Sequence, residues 1–94
     1  MTDKHTWRQA EERHDKAMWC LDQAEIVKLH KLNNDIDGLL KDALYYELDA
    51  AMLLSEQEDT EPSRSILFDS AANIANRLGK PSLAECIKRR IGNG

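Results

Sequence analysis

The stretch Glu61-Pro62-Ser63-Arg64-Ser65 gathers a carboxylate, a guanidinium and two hydroxyls into five residues. Proline suits the first turn of a helix, where the backbone N–H groups have no partner within the helix. Ser63, Arg64 and Ser65 are therefore a candidate site for an anion or a carboxylate. The competing reading is structural: Glu61 and the serines cap the helix while Arg64 pairs with Glu56, Glu58 or an acid on the second helix. Capping alone accounts for the composition, and the structural reading is preferred.

The other reactive residues are scattered. His5, His14 and His30 are nowhere four apart and no carboxylate cluster joins them, so no metal site is expected. Asp35-Ile36-Asp37-Gly38 has the look of the start of a calcium loop. It lacks the third acid, and Glu47 falls one residue late for the glutamate at position twelve. Cys20 and Cys86 are far apart, without C-x-x-C spacing, and read as small apolar residues of a chain kept in a reducing cytoplasm. No cofactor is implied, and no catalytic group is assigned.

Aromatic side chains offer a different chemistry, that of contact surfaces. Trp7 and Trp19 are twelve apart, which turns them about 120° from each other on a helix, so they cannot share one face. Tyr45 and Tyr46 are adjacent and raise the same conflict. Trp7, Trp19, Tyr45 and Tyr46 are accordingly the candidate partner surface, a second core layer or incidental exposure being the alternative.

These residues must be carried by helices. The chain has 94 residues, 41% hydrophobic and 32% charged, with a net charge of −4. That suits one soluble domain with a modest core and disfavours general binding to nucleic acid, which depends on neutralising phosphates. The basic run Lys88-Arg89-Arg90 falls where cations complement the end of a helix. No apolar run approaches a membrane span, so no membrane partner is expected. Glycine and proline are few and fall between segments of helical periodicity, and strand-like alternation is missing.

Four helices are expected. The first runs from about Lys4 to Lys31, capped by Thr2 or Asp3, with Trp7, Ala10, His14, Ala17, Leu21 and Ala24 turned inward. Leu32-Asn33-Asn34-Asp35 breaks the chain, Asp35 capping a second helix from about Ile36 to Ser55. This short connection makes the first two helices an antiparallel hairpin, about 4–55. An acidic loop, 56–61, leads to a second hairpin, about 62–91. Pro62 opens its first helix, which carries Ile66, Leu67, Ala71, Ile74, Ala75 and Leu78, and Gly79 stops it. Ser82 and Glu85 have capping-box spacing and would start a last helix, about Leu83 to Ile91, burying Leu83, Ala84, Ile87 and Ile91.

Leu78-Gly79-Lys80-Pro81-Ser82-Leu83-Ala84 resembles the turn of tetratricopeptide repeats, in which a Leu-Gly pair ends one helix and an alanine five residues on packs in the next. The tryptophan, tyrosine, phenylalanine and closing proline of the repeat are missing from their places. A broader resemblance rests on Ala17-Met18, on Glu47-Leu48-Asp49-Ala50-Ala51 and above all on Glu61 through Ala72. These look like a family of small uncharacterised bacterial proteins, many of them cyanobacterial, with a Glu-Pro-Ser/Thr-Arg-Ser motif. That resemblance implies tetratricopeptide-like or MIT-like helical hairpins and brings no activity with it. Arg8 and His14 have the arginine, five residues, histidine spacing of HEPN-type ribonucleases. On one helix they point about 120° apart, and the motif opens the chain instead of closing it.

The expected function is a non-enzymatic protein–protein interaction module that pairs with another protein or with itself as a homodimer. The alternative is an antitoxin-like regulatory component of a toxin–antitoxin module.

Overall fold

Several helix ends in the computed structural model rest on identifiable chemistry. The structure describes residues 2–30, 35–55 and 59–92. Its elements are α1 (Lys4–Leu29), α2 (Ile36–Ser55), α3 (Ser63–Arg77) and α4 (Pro81–Gly92), and no strand occurs among the described residues. Asp3 caps α1, its carboxylate accepting the Thr6 N–H at 2.8 Å. Asp35 does the same for α2, accepting from the Gly38 N–H at 2.9 Å. Pro62 stands at the cap of α3, one residue ahead of the helix it was expected to open. Gly79 ends α3 with φ +74°, the left-handed conformation that costs glycine least. The N–H groups of Gly79 and Lys80 then turn back to the carbonyls of Asn76 and Ala75, both at 3.0 Å.

One expected start is corrected. Helix α4 begins at Pro81, and the Ala84 N–H already donates to the Lys80 carbonyl at 3.1 Å. Ser82 therefore sits inside the first turn, where it cannot act as a cap to Glu85. Proline at the first helical position, with its φ preset and no N–H to satisfy, takes over that role. The expected breaks at 32–34 and 56–58 lie outside the described residues.

Side-chain bonds fix the topology. Arg13 meets Asp49, Glu47 meets Ser70, and Arg64 meets the Arg90 carbonyl, so each helix runs antiparallel to the next. Helices α1 and α3 consequently run parallel. They are tied at one end by Thr2, which donates its N–H and hydroxyl to Asp59, and at the other by Arg77 and Glu25 at 2.8 Å. Two hairpins joined through α2 and α3 give a slab of 45 × 28 × 15 Å, one layer holding α1 and α3 and the other α2 and α4.

The core of this slab is alanine-rich. Ten of the nineteen buried hydrophobic residues among those described are alanine, Phe68 and Leu54 being the largest fully buried apolar side chains. Small residues let helix axes approach closely. Two expected core positions are displaced to the surface: Ile66 is 62% exposed and Leu83 36%. Trp7, His14 and Leu21 of the expected inner stripe are half-buried, whereas Cys20 and Val27 are buried in α1. Glu47, absent from any expected core, is fully buried.

Candidate functional site

The parallel pair α1 and α3 leaves a groove of about 320 Å³ between them. Leu54 of α2 lies in its lining, with Trp7, Ala10 and His14 from α1 and Ile66 and Leu67 from α3, while Glu11 and Ser63 bring polar groups to it. The groove exists because α1 packs on α2, and α3 on α2 and α4, with little contact between α1 and α3. Its lining is apolar enough to take aliphatic side chains.

His14 is held in this wall by a bridge spanning three helices. Its Nδ1 lies 2.7 Å from Oε1 of Glu47, whose Oε2 accepts the Ser70 hydroxyl at 2.6 Å. A carboxyl group with no exposure needs both of its oxygens satisfied, and α1 and α3 each supply one partner. With Nδ1 committed, Nε2 is the nitrogen left to meet anything entering the groove.

A histidine oriented by a carboxylate invites comparison with nucleophilic catalysis, which needs a hydroxyl on the free ring nitrogen. Neither serine supplies it. Ser70 donates to the carboxylate instead of facing the imidazole. Ser63 lies seven residues before Ser70 on α3, about 10 Å along the axis from the level of His14. Arg8 is exposed, and no bond joins it to His14 among the described residues. The bridge is a positioning device.

The Glu61–Ser65 stretch is internally engaged. Arg64, 8% exposed, donates to Glu61 at 2.9 Å and to the Arg90 carbonyl at 2.6 Å, with its guanidinium 5.2 Å from the centre of the Phe68 ring. Ser65 donates to the other Glu61 oxygen. The hydroxyl of Ser65 and then the guanidinium of Arg64 hold the Glu61 carboxyl below its ordinary value. Arg64 and Ser65 are thus occupied, and Ser63 faces the α1/α3 groove. The structure does not converge the three on a common anion position.

The four aromatic candidates are distributed over the molecule. Trp7 lines the groove, and Trp19 stands 61% exposed farther along α1. Tyr46 is half-buried with the Lys16 ammonium 5.6 Å from its ring centre, and Tyr45, 70% exposed, meets Tyr46 edge to face at 6.1 Å. Trp7 and Trp19 therefore belong to the α1/α3 layer and Tyr45 to the opposite one. A second hollow of about 250 Å³ lies on that opposite side, where Leu48 and Met52 face Leu83, Cys86 and Arg90 over Phe68.

Residue spacing alone missed Glu47 and Ile66. The signal for Glu47 was present, since it lies three or four residues from each of Ala43, Leu44, Ala50 and Ala51, at the middle of the inward stripe of α2. No three histidine, cysteine or acidic side chains converge into a metal site among the described residues. Burial pushes the Cys20 thiol up from its ordinary value, helped by nearby Asp42, while Cys86 is exposed. Among the described residues no helix is long and apolar enough to cross a membrane. No protein-family model, curated protein or solved structure matches the chain.

Proposed function

We propose that this chain is a non-enzymatic protein–protein interaction module, built as two tetratricopeptide-like hairpins, and that it receives its partner on the α1/α3 layer. The observation carrying the reading is the apolar groove between these helices, walled by Trp7 and Ile66. An aromatic beside a cleft, ringed by polar groups, is the anatomy of an interface hot spot. The bridge from Glu47 to His14 and Ser70 supports the reading, because it locks both groove helices to α2 and so reduces the ordering cost of binding. The Leu78–Ala84 turn and the Glu61–Ala72 resemblance agree with such a scaffold.

Site-specific photo-crosslinking from position 66, and from position 45 on the opposite layer, tests this in cells. A discrete adduct from position 66 and none from position 45 is the expected outcome. Equal labelling from both positions, or none from either, removes the reading.

A further inference from the structure

Taking the buried side of α1 at Ala17 as zero, Asp15, Trp19 and Ile26 lie about 160–200° round the helix, with Glu11 and Asp22 at about 120–140°. They form one outward stripe at spacings of three and four residues, continuing from the groove along the same layer. On α3, Ile66 and Asp69 are likewise turned away from buried Ala71, by about 140–160° to either side. The layer thus presents two kinds of group, interleaved. Ile66, Trp19 and Ile26 are large, apolar and exposed. Glu11, Asp15, Asp22 and Asp69 are exposed acids with no ion-pair partner among the described residues. The arginine–carboxylate pairs among the described residues join Arg13 to Asp49, Arg77 to Glu25 and Arg64 to Glu61, and none of them engages these four acids.

Resting on the interaction-module reading, we infer that the partner of this face is a basic amphipathic α-helix, one that places apolar side chains in the α1/α3 groove and lysines or arginines against the unanswered acids. Charge selects the sign of the partner. An apolar partner without cations would desolvate four carboxylates for nothing, and an acidic one would be repelled. Spacing selects its backbone. From Glu11 to Ile26 the stripe steps about 5.6 Å at a time, the repeat of another helix. Alternate residues of an extended strand step about 6.7 Å and would slip out of register by about 4 Å over the stripe.

A second copy pairing through the same face is disfavoured by the same charges. Two-fold symmetry would set the acidic layer against itself. Lys4 and Arg8, exposed at the N-terminal end of α1 and about 140° and 180° from Ala17, are the cations that continue the outward stripe. They would attract the negative C-terminal end of the bound helix, so its last turn lies over them.

The test uses three fluorescent peptides of about 18 residues, long enough to hold helical structure: leucine/lysine amphipathic, leucine/glutamate amphipathic, and a scrambled lysine peptide of the same composition. Binding is read by anisotropy against the full chain. The lysine helix is expected to bind and to weaken as salt is raised. Ile66→Asp and the charge reversal Asp15→Lys/Asp69→Lys should each weaken it about tenfold or more, while Tyr45→Ser on the other layer leaves it unchanged. Circular dichroism of every variant separates lost binding from lost folding. Equal binding of the lysine and glutamate helices, or of the scrambled peptide, overturns the inference. So does binding of the lysine helix that Ile66→Asp leaves intact. If position 66 crosslinks a partner in cells but no lysine helix binds, the interaction reading stands and the basic-helix class falls.

Discussion

Glu47 and Arg64 are the two buried charged side chains among the described residues, and the molecule accommodates them in opposite ways. Glu47 is satisfied across the fold, by residues 33 positions before it and 23 after it. Arg64 is satisfied largely within its own hairpin, by Glu61 three residues back, the ring of Phe68 and the end of α4. The first arrangement joins hairpin to hairpin and shapes the groove. The second closes one hairpin on itself. A buried polar group can therefore report long-range assembly or local closure, and its partners decide which.

The largest expected effect comes from breaking the long-range centre at its exposed side. His14→Ala leaves a fully buried carboxyl group with Ser70 alone, at a cost of about 3 kcal/mol, or a fall in Tm of roughly 12 °C or more for a chain of this size. Adding Glu47→Leu to that variant should restore most of the loss, because an apolar side chain of similar volume needs no partner. Thermal melts of the two variants check both halves. Were His14→Ala silent, the bridge would not be the tie between the hairpins.

Next comes the local centre. Arg64→Met keeps contact with Phe68 but loses the bond to the Arg90 carbonyl, and about 2 kcal/mol is expected in urea unfolding. Hydrogen exchange should quicken in α4 and stay unchanged in α1, in contrast to His14→Ala. A smaller loss, about 1 kcal/mol, is expected for Gly79→Ala, where nothing crowds an added Cβ but φ is +74°. That turn returns α4 to Arg64, so this variant should resemble Arg64→Met in where it loosens.

Acid provides the gentlest probe. Thr6 N–H, the Thr2 hydroxyl and the Ser65 hydroxyl hold Asp3, Asp59 and Glu61 respectively below their ordinary values of 3.8, 3.8 and 4.5. Carboxyls with depressed values stabilise the fold above their unfolded values, and that contribution is lost as pH falls through the folded ones. Stability should therefore be level above about pH 5 and decline below about pH 4.5. The three groups sit where α1 and α3 begin, so amide exchange should rise there first. A decline beginning above pH 5 would place its origin elsewhere.

The sequence was most legible at its punctuation. Asp35, Gly79 and the bounds of α2 follow from short-range chemistry, which a reader of residues can evaluate locally. The hairpin order follows from short connections and periodicity. Legibility ended where two local signals competed, as at Pro81 against Ser82, both qualified to start α4. It ended too where burial depends on a third helix. Ile66 has the composition of a core residue, yet α1 stands too far from α3 to cover it. Glu47 has the composition of a surface residue but lies where three helices meet. Trp7 could be read as a contact residue, whereas its opposite wall could not, because no periodicity within α1 specifies where α3 will run.

The alanine-rich core has a consequence for where the order of this protein resides. Alanine has no rotamers to freeze, so ten of the nineteen buried apolar side chains surrender no side-chain entropy on folding. They also offer no long knobs to interlock, and one smooth helix can slide along another with little to catch on. Longitudinal register then falls to the larger buried side chains, Phe68 and Leu54 the most deeply enclosed of them, and to the directional bonds of Glu47 and Arg64. In such a fold the polar bonds act less as a source of cohesion than as the marks that keep the helices aligned.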